Sequence, residues 1–161
     1  MEVLKSLTTN HSKNPIYIAC LTVDSLTFEK RPNSNLYYHL STAKLTYIEA
    51  EARCKAAQSI LAFANSSQEL QVIQGILPRD TQAWIGVKKT TSVNPPSLIW
   101  TADNSAFQFG IQANIKGLGT QCAVLTFGST GSYSFEDAGC DVDHLFICQR
   151  DCPFNPYQKC E

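Results

Sequence analysis

The pattern of apolar and polar positions predicts a helix that begins near Thr46. Thr46 and Glu49 have the spacing of a capping box, in which each side chain accepts a hydrogen bond from the backbone N–H of the other residue. The helix is expected to continue to about Ala57. Cys54 would lie near the buried side, and the apolar residues predicted to line that face are Ile48, Ala52 and Ala56.

A second helix is predicted from Ser66 to about Gln74. The segment Ser66-Ser67-Gln68-Glu69 repeats the capping signature, and apolar residues follow it at helical spacing. The side chains expected to face inward are Leu70, Ile73 and Ile76.

Beyond the second helix, the apolar runs are short and are separated by Gly, Pro, Ser and Asn, which is typical of strands joined by turns. The predicted strands are residues 83–87, 98–100, 123–127 and 144–148. No regular period connects Trp100 to Cys122, so we expect a long irregular loop there, and such loops are usually functional. Helices followed by strands in one short chain predict an α+β fold, with helices flanking antiparallel sheet.

The chain divides into three parts by composition. Residues 1–35 are rich in Ser, Thr and Asn around one strand-like run at 16–23, and we interpret them as an N-terminal extension. The compact domain is expected at 36–150 and a cysteine-containing tail at 151–161. The first ten residues lack the apolar core of a signal peptide, so we expect a mature or excised ectodomain.

The composition of the chain indicates which binding partners and which cellular compartment to expect. A formal charge of -1 with 17% charged residues argues against a nucleic-acid partner, and no run approaches the roughly 20 apolar residues that direct membrane insertion needs. The seven cysteines favour an oxidising, extracellular setting, either secreted or on the ectodomain of a cell-surface protein. The two sequons make Asn10 and Asn65 candidates for glycosylation.

Several short motifs together resemble the C-type lectin-like domain of the C-type lectin superfamily. They are an opening strand at 37–41, the helix segment 49–54 that ends in a cysteine, the core tetrapeptide Trp84-Ile85-Gly86-Val87, and three later cysteines at 122, 140 and 148. The resemblance implies a disulfide-stapled α+β fold, in which two helices flank antiparallel sheets and a long loop recognises ligands without catalysis. It also implies the pairs Cys54–Cys148 and Cys122–Cys140, a pairing that spacing alone cannot choose.

The same resemblance identifies the place of a calcium and sugar site. Calcium-binding members carry Glu-Pro-Asn or Gln-Pro-Asp before the second core cysteine and Trp-Asn-Asp before the third. This chain has Gln112-Ala113-Asn114 and Phe135-Glu136-Asp137 in those places. If calcium were bound, the resemblance implies as its ligands Gln112, Asn114, Thr120, Glu136 and Asp137.

Two substitutions disfavour calcium at this site. The set contains two carboxylates where the family typically has three, and calcium affinity follows the charge and rigidity of its oxygen ligands. Ala113 replaces the family's cis-proline, and a cis bond there would cost about 2.5–4 kcal/mol, against roughly 0.5–1 for proline. We therefore expect a trans peptide bond, misplaced ligands and no bound cofactor. In that case Glu136 and Asp137 are interpreted as solvated loop carboxylates, and Gln112 and Asn114 as ordinary turn residues.

Neither the histidines nor the remaining cysteines predict catalysis. His11, His39 and His144 form no constellation of nucleophile, base and orienting group, so we expect no enzyme.

Three cysteines lie outside the core set, and at least one thiol remains after any further pairing among them. That thiol could link two chains in a disulfide-bonded dimer, pair with another segment or stay free; the three residues are Cys20, Cys152 and Cys160.

Two functional hypotheses follow. The first is a module for cell adhesion or cell-surface recognition, which binds a protein ligand or receptor through the long-loop face without calcium. Its apolar anchors would be Phe107, Phe109, Ile111 and Ile115, unless these residues pack under their own loop. The second is a lectin that binds a glycan, with or without calcium, through Gln112, Asn114, Glu136 and Asp137.

Overall fold

The computed structural model of the protein describes residues 26–90, 97–108, 112–114 and 122–151, with only the backbone described for 112–114. The predicted strand-like run at 16–23 lies outside these residues. The other predictions that fall outside them concern Asn10, Cys20, Phe109, Ile111, Ile115, Thr120, Cys152 and Cys160.

The described residues form two helices and a sheet built mostly of short strands. The helices are α1 (Tyr47–Ala56) and α2 (Ser67–Ile76). The strands are β1 (Glu29–Lys30), β2 (Tyr37–Leu40), β3 (Ile60–Leu61), β4 (Thr81–Trp84), β5 (Val87–Lys89), β6 (Leu98–Trp100), β7 (Gln112–Asn114), β8 (Cys122–Phe127), β9 (Tyr133–Ala138) and β10 (Leu145–Arg150).

The predicted α+β fold class is confirmed, and the sheet is mixed rather than wholly antiparallel. Its main order is β1-β2-β10-β4-β8-β5-β6, with β3 beside β10 and with β9 between β8 and β7. Most pairs are antiparallel, but β10 runs parallel to β4 and β7 runs parallel to β9. Parallel neighbours require a long crossover connection. The long stretches of chain between β4 and β10, and between β7 and β9, provide those connections.

The predicted strand at 83–87 is two strands, and Gly86 lies at the break. A Cβ atom at this position would lie 3.0 Å from the carbonyl oxygen of Leu61. The glycine N–H donates instead to the carbonyl of Ala62 at 2.8 Å. The close backbone approach therefore accounts for a glycine between β4 and β5.

The capping box of α1 is confirmed, but its predicted buried face was wrong. The Thr46 side chain accepts from the Glu49 N–H, and Glu49 accepts from the Thr46 N–H at 3.1 Å. The buried residues are Tyr47, Ala50 and Cys54, whereas Ile48 is 72% exposed and Ala52 and Ala56 are also exposed. The bridge at Cys54 and the hydrogen bond from Tyr47 N–H to the Cys140 carbonyl fix this rotation of the helix.

The inward face predicted for α2 is confirmed, because Leu70, Ile73 and Ile76 are all buried. The Ser66 hydroxyl accepts from the Glu69 N–H at 3.2 Å, as a capping residue should. The Glu69 carboxylate, however, accepts from the N–H of Asn65 rather than from that of Ser66. The helix also extends two residues beyond the predicted Gln74.

Both predicted disulfides are confirmed and tie distant parts of the chain to the core. Cys54–Cys148 joins α1 to β10 across a sequence separation of 94, and Cys122–Cys140 joins β8 to the segment after β9 across a separation of 18. The first bridge lies in a buried cluster with Trp84. Its long loop makes it the larger expected constraint on the unfolded chain.

A glycine at position 58 is expected to stabilise the protein. Gln58 is exposed, follows the C-cap residue of α1 and has φ of 52°, a left-handed conformation that costs a side-chain residue about 1–2 kcal/mol. Allowing for the greater entropy of glycine in the unfolded chain, Gln58→Gly should raise the free energy of unfolding by about 0.5–1 kcal/mol. Urea denaturation checks this value. Gln58→Ala keeps a Cβ atom and should bring no gain, so equal stabilisation by both variants would contradict the explanation.

Candidate functional site

Strand β9 carries the two carboxylates of the candidate site. It pairs antiparallel with β8, so that Glu136 lies opposite Val124 and Asp137 lies opposite Ala123. Both acids were interpreted as loop residues, and the structure corrects this because each lies within the strand. Consecutive side chains of a strand point to opposite faces of the sheet, so the two carboxylates diverge.

Glu136 contacts Gln82 on one face of the sheet. The Gln82 amide Nε2 donates to Glu136 Oε2 at 3.2 Å and to Thr126 Oγ1 at 3.1 Å. Both N–H bonds of this amide are therefore used in fixing side chains of β8 and β9. The result is a polar network that spans three neighbouring strands.

Asp137 contacts Lys89 on the other face. The Lys89 ammonium Nζ lies 2.7 Å from Asp137 Oδ1, within hydrogen-bond distance of the carboxylate. The Lys89 side chain is 2% exposed and that of Asp137 is 21% exposed. Because a buried ammonium requires a compensating charge, this pair is a constraint on both strands.

The strand β7 contains Gln112 and Asn114, the other predicted part of the candidate site, and it pairs with β9. Gln112 is opposite Ser134, and Asn114 is opposite Glu136, in a parallel pair. These residues were interpreted as turn residues, but their backbone is that of a strand. The structure therefore places the backbone of both predicted ligand segments side by side.

Phe107 lies at the start of the long connection and packs against the core. Its ring centroid is 5.1 Å from that of Trp100 and 5.0 Å from that of Phe135. The side chain is half-buried, and Phe135 is fully buried beneath it. The ring thus connects the beginning of the long loop to the middle of β9.

The described part of this site does not fit a calcium ion. Calcium requires several oxygen ligands that converge on one point, but the carboxylates of Glu136 and Asp137 point to opposite faces of the sheet. A cation at Asp137 Oδ1 would also have to displace the Lys89 ammonium, 2.7 Å away. Across residues 26–90, 97–108 and 122–151, no three His, Cys, Asp or Glu side chains come together in a group that could hold a metal ion.

Sequence reasoning missed Lys89 and Gln82. Lys89 follows Lys88, and such a pair usually indicates a solvated surface. The signal that could have identified it is the alternation within β5, because a side chain two positions after buried Val87 faces the same side of the sheet.

The two histidines in the described residues lie in different settings. His39 Nδ1 is 2.8 Å from the carbonyl oxygen of Thr27. His144 packs edge-on against Trp84, and burial, together with the charge of Lys44, lowers the pKa of its imidazole below the usual value. Each ring thus has a structural contact of its own.

Within the described part of the chain, neither helix has the length and apolar character needed to cross a bilayer.

The chain matches known proteins over most of this region. The family model described as Lectin C-type domain matches residues 43–150. Chondrolectin from Mus musculus is 22% identical in an alignment of 148 residues. The alignment covers 78% of this chain and 54% of that protein. The chain therefore spans about half the length of this relative.

Solved structures show the same fold. The C-type lectin domain of murine dendritic cell inhibitory receptor 2, in complex with N-glycan, has a TM-score of 0.59 at 20% identity and covers 74% of this chain and 94% of its own. The mouse scavenger receptor C-type lectin carbohydrate-recognition domain has a TM-score of 0.60 at 24% identity, with coverage of 80% and 97%. A calcium-independent type II antifreeze protein has a TM-score of 0.58 at 20% identity, with coverage of 79% and 98%.

Proposed function

Because the chain belongs to the family of C-type lectin domains, we propose that it is an extracellular, non-enzymatic recognition module that binds a protein ligand without calcium. The binding face is formed by β7, β9 and the long loop that precedes β8. Its contact residues are drawn from Gln112, Asn114, Glu136, Phe107 and Phe109, whereas the Asp137 carboxylate is held in an ion pair with Lys89. The module serves cell adhesion or cell-surface recognition.

The ion pair between Lys89 and Asp137 is the observation that carries this proposal. The ammonium supplies, as part of the chain itself, the positive charge that a bound metal ion would otherwise bring to Asp137. The ammonium is buried and lies 2.7 Å from Asp137 Oδ1, so it competes with any metal ion for this carboxylate at a high effective concentration. The carboxylate is therefore committed to a structural role, and ligand contacts come from the surrounding surface.

The arrangement of the neighbouring groups also favours a protein ligand. Phe107 is packed on Phe135 and is therefore held rigidly at the edge of the long loop. Aromatic side chains held in well-packed settings are common in protein-binding hot spots. Separately, the Gln82 network holds the Glu136 carboxylate in place, so that a polar contact through this carboxylate needs little ordering on binding.

Some structural neighbours favour glycan binding as the alternative. The dendritic cell receptor domain was solved with an N-glycan, and the scavenger receptor domain is a carbohydrate-recognition domain. The antifreeze protein, in contrast, has the same fold and is calcium-independent. The fold therefore occurs both in carbohydrate-recognition domains and in a calcium-independent protein, so the fold alone does not identify the ligand of this chain.

A binding array of glycans and recombinant protein ectodomains tests the proposal. We expect the chain to bind one or more ectodomains equally well in millimolar calcium and in EDTA. Glu136→Lys should weaken this binding at least tenfold, because it reverses the charge on the proposed face. Gln71→Lys, on the exposed side of α2, is the matched control and should leave binding unchanged. Binding to glycans alone, abolished by EDTA, would contradict the proposal.

A further inference from the structure

We propose that Asn65 carries an N-linked glycan that covers the outer face of α2. The sequon is Asn65-Ser66-Ser67, and it lies where the chain enters the helix. The inference rests on the extracellular setting of the proposed function. It concerns a different surface from the proposed ligand-binding face.

The backbone at Asn65 is anchored, while its side chain is accessible. The Asn65 N–H donates to Glu69 Oε2 at 2.7 Å, which fixes the main chain one residue before the helix cap. Asn65 is exposed, and its amide group forms no hydrogen bond with any of the residues that the structure describes. A sugar on Nδ2 would therefore extend into solvent without disturbing a native contact.

The two serines of the sequon have separate tasks. The Ser66 hydroxyl accepts from the Glu69 N–H at 3.2 Å and caps α2. Ser67 is the first residue of the helix and is exposed. The sequon requires the hydroxyl at the third position and tolerates most residues at the second, so the modification depends on Ser67 and the helix cap depends on Ser66.

The outer face of α2 carries less charge than α1, because Glu69, the charged residue within α2, is half-buried. Its exposed residues are Ser67, Gln68, Gln71 and Gly75. Exposed helix faces usually carry interspersed charges, and α1 has four charged residues: Glu49, Glu51, Arg53 and Lys55. A bulky, hydrated glycan at Asn65 supplies the solubility that charged side chains supply on α1.

The modification is a group transfer from an activated sugar donor of the secretory pathway. The donor is a lipid-linked pyrophosphoryl oligosaccharide. A bond forms between Asn65 Nδ2 and the anomeric carbon, the bond from that carbon to the pyrophosphate oxygen breaks, and the lipid pyrophosphate leaves. The amide loses one proton, and no oxidation or reduction takes place.

Expression of the full chain behind a cleavable secretion signal in a eukaryotic host tests the inference. Asn10→Gln is introduced so that Asn65 is the remaining sequon, and intact mass is measured before and after treatment with a peptide N-glycosidase. We expect one glycan, removed by the enzyme with conversion of Asn65 to aspartate. An Asn10→Gln protein that is secreted and folded but has the unmodified mass would overturn the inference.

Three variants at the two serines provide matched controls in the same background. Ser67→Ala should abolish the glycan and keep the helix cap, whereas Ser67→Thr, which restores a hydroxyl, should recover it. Ser66→Ala should keep the glycan, although its midpoint of unfolding should fall. Loss of the glycan in Ser66→Ala but not in Ser67→Ala would contradict the assignment of roles.

The result is independent of the ligand-binding proposal. Glycosylation can fail while the binding array still gives an ectodomain ligand, and the reverse can also occur. The Ser67→Ala protein should bind that ligand as tightly as the glycosylated protein does, because the glycan lies on α2 and the proposed binding face is on β7 and β9.

Discussion

Asp137→Asn is expected to lower the free energy of unfolding by about 3 kcal/mol, near the lower end of what removal of one partner from a buried ion pair costs. The variant keeps the size of the side chain but leaves the Lys89 ammonium, 2% exposed, without its carboxylate at 2.7 Å. The remaining exposure of Asp137 and the further interactions of both residues keep the expected loss at the lower end of this range. Urea denaturation at neutral pH measures the effect.

Two further variants separate the ion pair from ordinary surface charge. Asp141→Asn changes an exposed acid after β9 and should alter stability by less than about 0.5 kcal/mol. Lys89→Met combined with Asp137→Leu removes both charges and should be clearly more stable than Asp137→Asn, because no buried charge is left uncompensated. If Asp137→Asn and Asp141→Asn were equally mild, the pair would not hold the two strands together.

Removal of the Cys54–Cys148 bridge is expected to have the largest effect of all, a loss of about 4–5 kcal/mol on the loop-entropy model. The bridge closes a loop of sequence separation 94 and joins α1 to β10. Both sulfur atoms are buried, so alanine at both positions also removes apolar contacts within the core. The double alanine variant is compared with the parent protein by urea denaturation.

The second bridge provides the matched comparison. Cys122–Cys140 has a sequence separation of 18, for which the same model gives about 3 kcal/mol. Removal of Cys122–Cys140 should therefore be the milder of the two changes. A greater loss from the shorter loop would contradict the assignment of Cys54–Cys148 as the main constraint.

Local sequence signals predicted the helices well, because their starts depend on short-range chemistry. The capping pair Thr46 and Glu49 needs only neighbouring backbone groups, and it forms as predicted. The inward face of α2 follows from apolar spacing within the helix itself. The rotation of α1 was not predictable in this way, because Ile48 is exposed and the buried Cys54 is fixed by a residue on β10.

The candidate site was only partly predictable, because its decisive contacts join distant strands. The family resemblance located Glu136 and Asp137, but not the partner of either carboxylate. Those partners come from β4 and β5, which β8 brings beside β9 in the folded sheet. Alternation within β5 can place Lys89 on the same side of the sheet as Val87, but it does not reveal which carboxylate lies beside the ammonium until the pairing of the sheet is known.

Calorimetric titration of the EDTA-stripped protein with calcium shows whether the ion pair between Lys89 and Asp137 excludes calcium from this site. No saturable heat is expected up to millimolar calcium, because the Lys89 ammonium already holds Asp137 and the carboxylate of Glu136 points to the opposite face. A saturable binding isotherm that Asp137→Asn abolishes would show instead that the ion pair yields to a metal ion.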